Sequence, residues 1–191
     1  EAVSKALRSK PGANIIFLEN HGIVIGADSI ENIYSLLNTI EAAFPPLAVP
    51  ARISRALSTI SPSPTGDYIP FHDAEVQSLA FDPELFKRLH QDWVLFPDHA
   101  VFLGPKANIY PSWEDFHNQN ASETHELIFI ENAGVFVKSN FSKAKAAQLL
   151  CYFDVISRVS PDVRLEPLSE TDIHALLNWD AEKLRQQMSQ K

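Results

Sequence analysis

Eleven residues near the start of the chain return in nearly the same form 112 residues later. Residues 15–25 read IIFLENHGIVI and residues 127–137 read LIFIENAGVFV. Ile16, Phe17, Glu19, Asn20 and Gly22 thus recur as Ile128, Phe129, Glu131, Asn132 and Gly134. Dense β-formers on both sides of an Asn-x-Gly punctuation predict a strand over 14–19, a glycine-containing kink, and a strand that resumes at Ile23-Val24-Ile25. The second string predicts the same unit over 127–137. One position differs in chemical kind: His21 in the first string is Ala133 in the second. Backbone geometry accounts for the shared residues, so the unshared imidazole is where chemistry would survive.

The likeness extends past the strings. Gly26 ends the first, and Asp28 or Ser29, with Glu31 behind, is placed to cap a helix carrying Ile30, Ile33, Leu37 and Ile40 until Pro45-Pro46 stops it. In the second, Asn140 or Ser142 takes the capping role for a helix to about Arg158. Corresponding strands followed by corresponding helices predict an internal duplication. Elsewhere, residues 2–9 predict a short helix ended by Lys10-Pro11-Gly12. The proline-rich stretch 45–70 predicts an exposed connection with a short helix near 50–58, and Asp82-Pro83 starts a helix through His90. WVLFPDHAVFLG, residues 93–104, predicts two strands about a turn at Pro97-Asp98. In the tail, Ser169 and Asp172 pair as a cap ahead of Ile173, Leu176 and Leu177, and a last helix is expected to bury Trp179 and Leu184.

These elements predict an α/β fold, a mixed sheet with helices on its faces. Three divisions follow: 1–60 as the end of a first unit, 61–160 as a second, degenerate copy, and 161–191 as a helical tail. A composition of 45% hydrophobic residues can supply a core. The net charge of −8, from 16 Lys+Arg against 24 Asp+Glu, gives no footprint for nucleic acid. Cys151, the only cysteine, excludes an internal disulfide and is expected as a buried thiol in a reducing compartment. Without an apolar run of membrane-spanning length or a signal-peptide core, no membrane partner is expected and the chain reads as cytoplasmic.

His21 sits where a side chain projects from a rigid strand while the backbone turns. A neutral imidazole there could ligate zinc, but a catalytic zinc needs about three protein ligands. No His-x-His or His-Glu-x-x-His occurs in the chain, so any further ligands must come from other segments. His99, in the Pro97-Asp98 turn, is the second candidate, with a structural or solvent-facing role as the plainer reading. His117 and His125, with Glu114, Asp115 and Glu123, read as a solvated loop, and His72-Asp73 is similar. His90 and His174 fall on helices where no special role is needed.

The string Phe17-Leu18-Glu19-Asn20-His21-Gly22-Ile23-Val24-Ile25-Gly26, followed by a capped helix, resembles the class II aldolase/adducin family. There, a strand ending in Asn-His-Gly supplies the third histidine ligand of a divalent metal, usually zinc. The tail LSETDIHALLNWDAEKLRQQM is similar to the C-terminal segment of longer bacterial members, and Pro97-Asp98-His99 is similar to a segment of the sugar-phosphate aldolase-like branch. The resemblance implies a metal-dependent lyase or epimerase acting on a sugar phosphate or related hydroxy-carbonyl compound, as a homo-oligomer, with His21 as one ligand. Family members carry a His-x-His pair, a catalytic acid and phosphate-binding loops ahead of Asn-His-Gly. Only twenty residues precede His21 here, so the expectation is a C-terminal portion of a longer enzyme, inactive alone. The alternative is a non-catalytic, adducin-like domain for oligomerisation or partner binding.

Overall fold

Along Leu127–Ile130 and Gly134–Lys138 the buried side chains alternate between two apolar clusters, and that alternation organises the larger part of the molecule. Leu127, Phe129, Val135 and Val137 enter one apolar cluster, and Ile128, Ile130 and Phe136 enter another. In a strand, successive side chains point to opposite faces, so this sheet is buried on both. A computed structural model describes residues 2–44, 60, 63–64, 66–119, 125–181, 184 and 188. The chain is mixed α/β and forms two compact units, Glu1–Ala48 and Val49–Lys191.

The first unit holds α1 (Ala2–Ser9), β1 (Ile15–Leu18), β2 (Gly22–Ile25) and α2 (Ile30–Ala43). The string predicted as strand, kink and resumed strand is instead a hairpin: β1 and β2 pair antiparallel, from Ile15↔Ile25 to Leu18↔Gly22. The reason is Asn20, which adopts a left-handed φ of 53° and, with Gly22 at 120°, reverses the chain. Of the two candidate caps for α2, Ser29 takes the role, its hydroxyl accepting from the Asn32 N–H at 3.2 Å. A continuous apolar run such as β1 is of the kind buried on both faces of a sheet. Here β1 is only half-buried, and Phe17 is 60% exposed, because β1 has β2 as its single neighbouring strand among the described residues.

The second unit contains β3 (Tyr68–Pro70), α3 (Ser78–Phe81), α4 (Pro83–Gln91), α5 (Pro97–Leu103), β4 (Ile109–Tyr110), α6 (Trp113–Gln119), β5 (Leu127–Ile130), β6 (Gly134–Lys138), α7 (Lys143–Arg158) and α8 (Glu170–Asn178). The sheet order is β3-β6-β5-β4, antiparallel except for the parallel β4–β5 pair. Residues of α3, α4, α5 and α7 build the cluster on one face, and Phe116 of α6 joins Tyr68 and Tyr110 on the other. The β5–β6 hairpin has the register of β1–β2, from Leu127↔Val137 to Ile130↔Gly134, and Asn132 repeats the left-handed φ at 56°. Ser142 caps α7 as Ser29 caps α2, its hydroxyl accepting from the Lys145 N–H at 3.3 Å.

Several expectations need correction. Residues 93–104 are not two strands about a turn. Val94 takes φ 60°, which no extended strand accommodates, and Pro97 then occupies the first turn of α5, where its fixed φ and missing N–H suit a helix start. Within the predicted connection 45–70, Tyr68–Pro70 is an edge strand, where a proline is tolerated. The short helix expected near 50–58 lies outside the described residues. Cys151 is exposed on α7, since the buried stripe Leu149, Tyr152, Phe153 and Ile156 leaves position 151 outside it. Trp179 and Leu184 are exposed rather than buried. The Ser169 cap of α8 is as expected, accepting from the Asp172 N–H at 3.1 Å. Among the described residues, no helix is long and apolar enough to cross a membrane.

Candidate functional site

The turn Glu19-Asn20-His21 is fixed by its backbone. The His21 N–H donates to the Leu18 carbonyl at 3.2 Å, closing the reversal that Asn20 begins and Gly22 completes. The His21 side chain is exposed, and no described residue makes a hydrogen bond or ion pair with its ring. The corresponding turn in the second unit has the same closure, Ala133 N–H to the Ile130 carbonyl at 3.0 Å, without an imidazole. A further bond, from the Asn132 N–H to the Ala80 carbonyl at 2.9 Å, ties that turn to α3.

His99 is placed differently from its expected turn. It lies on α5, fully buried, with ring centroids of Trp93, Tyr152 and Phe96 at 4.2, 4.8 and 5.5 Å. Among the described residues, neither ring nitrogen has a hydrogen-bond partner. Burial among aromatic rings disfavours the imidazolium and pushes its pKa down to about 3, so His99 is neutral near neutral pH. His21 belongs to the first unit and His99 to the second.

The lesser candidates are mostly explained by local structure. Asp115 accepts from the Ser112 hydroxyl at 2.5 Å while its own N–H donates to the same oxygen at 3.1 Å, which starts α6. Asp73 accepts from the N–H groups of Glu75 and Val76, an Asx-type turn, and exposed His72 lies tilted against Phe71 with ring centroids 4.6 Å apart. Tyr68 donates its hydroxyl to the His125 carbonyl. His90 lies against Phe86, and His174 contacts Asn178 on α8. Glu123 lies outside the described residues. Among the described residues, no three His, Cys, Asp or Glu side chains gather to hold a metal ion. The exposed imidazole of His21 would supply one ligand to a divalent metal, and the described residues do not by themselves fit a complete metal site.

Two polar features of the second unit carry no sequence signal. Gln77 is buried and clamps the hairpin: its carbonyl oxygen accepts from the Val135 N–H at 2.7 Å, and its amide donates to the Phe71 and Val135 carbonyls at 2.7 and 3.1 Å. Arg88 is buried against Asp92 at 2.6 Å and also donates to the Ser160 and Val163 carbonyls. These last two charges line a groove of about 460 Å³ between α4 and residues 161–167. Arg and Asp four residues apart on a helix usually mark an exposed face, which is why spacing alone does not reveal this pair.

No protein-family model, curated protein or solved structure matches the chain.

Proposed function

We propose that the chain carries the histidine hairpin of a class II aldolase-like, divalent-metal-dependent lyase acting on a sugar phosphate or a similar hydroxy-carbonyl compound, and that its second hairpin is a decayed internal copy. One observation supports the reading above the others. Two hairpins of identical register, each followed by a serine-capped helix, differ at the turn by one solvent-facing imidazole. The turn fixes the His21 backbone and leaves its ring nitrogens accessible to a metal ion. The remaining ligands would come from outside the groups described, and zinc is the metal expected there. Bound zinc would polarise a substrate oxygen.

The test is cleavage activity of the protein expressed from its complete reading frame, assayed on a panel of phosphorylated ketoses. Turnover is expected to disappear with a chelator, to return with zinc, and to fall by about a hundredfold or more in His21→Ala. Turnover indifferent to both chelator and His21→Ala would overturn the reading. A second reading, the non-catalytic adducin-like domain, draws on a separate observation: Phe17, Ile30, Tyr34 and Phe44 of the first unit are each about 60% exposed. Large apolar side chains left in solvent on so small a unit suit partner binding.

A further inference from the structure

Between α7 and α8 the chain crosses the second unit as a strap, residues 159–169, and its attachments converge on one buried side chain. Arg88 of α4 is 6% exposed. Its Nη1 meets Asp92 at 2.6 Å, and its Nη2 donates to the Ser160 and Val163 carbonyls at 2.7 and 3.2 Å. At the far end of the strap, the Leu168 N–H donates to the Val94 carbonyl at 2.9 Å. Val94 holds φ 60°, a left-handed backbone in which a β-branched residue is strained, so this second catch sits on a segment with a more stable conformation to relax into. The strap also carries structure of its own. The Val163 N–H donates to the Ser160 carbonyl at 3.0 Å, and the Ser169 hydroxyl caps α8.

Burial divides the unit at the same place. Helix α7 buries Leu149, Tyr152, Phe153, Ile156 and Ser157, whereas no residue of α8 is fully buried. Strap and α8 rest on the main cluster through Leu165, Leu168 and Ile173, each partly buried. The cost of a local opening follows the apolar contact it breaks, so this segment detaches more readily than the sheet beneath it unfolds. We infer that residues 160–178 form a latch: strap and α8 leave and rejoin the rest of the unit as one piece, hinged at Val159 where α7 ends, with the Arg88 side chain as the bolt. A planar guanidinium suits that role, because it can hold a carboxylate and two carbonyls at once in a fixed fork.

The latch makes the polar groove conditional. One wall of that groove is a single face of α4, with Glu84, Lys87, Arg88, Gln91 and Asp92 at helical spacing, and the other wall is residues 161–167 of the strap. The two walls belong to pieces that separate, so the groove exists only while the latch is closed. A polar solute bound across it would hold the latch shut, since only the closed state offers both walls. This inference uses no metal and no residue of the first unit, so it stands or falls apart from the function proposed for His21.

Native-state hydrogen exchange of the full chain, read residue by residue, tests it. The amides of Leu168 and of residues 173–178 are expected to share one protection, about a hundredfold or more below that of Phe129 and Val135 in the β5–β6 hairpin. Arg88→Lys keeps a charge beside Asp92 but loses the fork; it is expected to speed Leu168 and α8 by about tenfold and to leave Phe129 and Val135 within about twofold. Leu165→Ala, which shortens an apolar anchor of the strap and leaves the Arg88–Asp92 pair in place, is expected to have the same selective effect. The inference is overturned if Leu168 and α8 are as protected as the sheet, since the segment then opens only with the whole unit. A gradient of rates along α8 with Leu168 still protected overturns it equally, because the helix then frays alone. Variants that speed every amide alike, or none, also contradict it.

Discussion

A buried imidazole without a hydrogen bond has only its neutral form to offer, and His99 pays for that position in acid. Its pKa in the folded chain is about 3 against an ordinary 6.5. The unfolded chain therefore binds the extra proton first as pH falls. The sign follows directly: the neutral-His99 contribution is complete above pH 6.5 and is lost progressively between there and about pH 3, at up to about 1.4 kcal/mol per pH unit. Urea titrations at stepped pH are expected to show that slope in the wild type and a flatter one in His99→Phe, which keeps an aromatic ring among Trp93, Phe96 and Tyr152. An unchanged slope would mean that other groups set the acid limit. His21 is exposed in its turn while His99 is buried, and this contrast separates the first and second candidate ligands of the sequence.

At the scale of the element, the two hairpins show how one backbone plan can be held in two ways. Gly22 has φ 120° and open space where a side chain would go. Gly134 has φ 144°, and a methyl group there would meet the Gln77 carbonyl oxygen at 3.0 Å and the Phe136 ring at 3.2 Å. Gly22→Ala should therefore cost about 1 kcal/mol, from backbone conformation alone. Gly134→Ala should cost about 2–3 kcal/mol, because the clamp through Gln77 must also give way. Thermal unfolding read separately for each hairpin by hydrogen exchange checks the ranking; equal costs would show that the clamp adds nothing. The strands and the helices after them were legible in the sequence because apolar runs, Asn-x-Gly and a capping serine each have a local cause. The reversal at Asn20 was not, since a kink and a hairpin share those letters and only a left-handed φ distinguishes them. The same limit applies at residues 93–104, where β-forming letters concealed the turn of Val94 and a proline-initiated α5.

Across the whole molecule, one unit has a two-faced core, and in the other each strand of the hairpin has a single strand neighbour among the described residues. The difference is absent from composition, because β1 is as apolar as β5. What differs is the company each keeps: β5 lies between β4 and β6, while β1 has only β2 among the described residues. Pairing across a sheet is a long-range property, so the sequence predicted the strands and missed their unequal burial. The candidate site was legible only in part for a related reason. His21 could be singled out because a near-copy of its surroundings lacks it, whereas Arg88, Asp92 and Gln77 acquire their roles from contacts far away in sequence. The proposed role of His21 as a metal ligand is tested directly by metal content. Protein from the complete reading frame, purified without chelator, should hold one divalent ion per chain, retain it in His99→Phe, and lose it in His21→Ala. Full occupancy in His21→Ala would contradict the assignment.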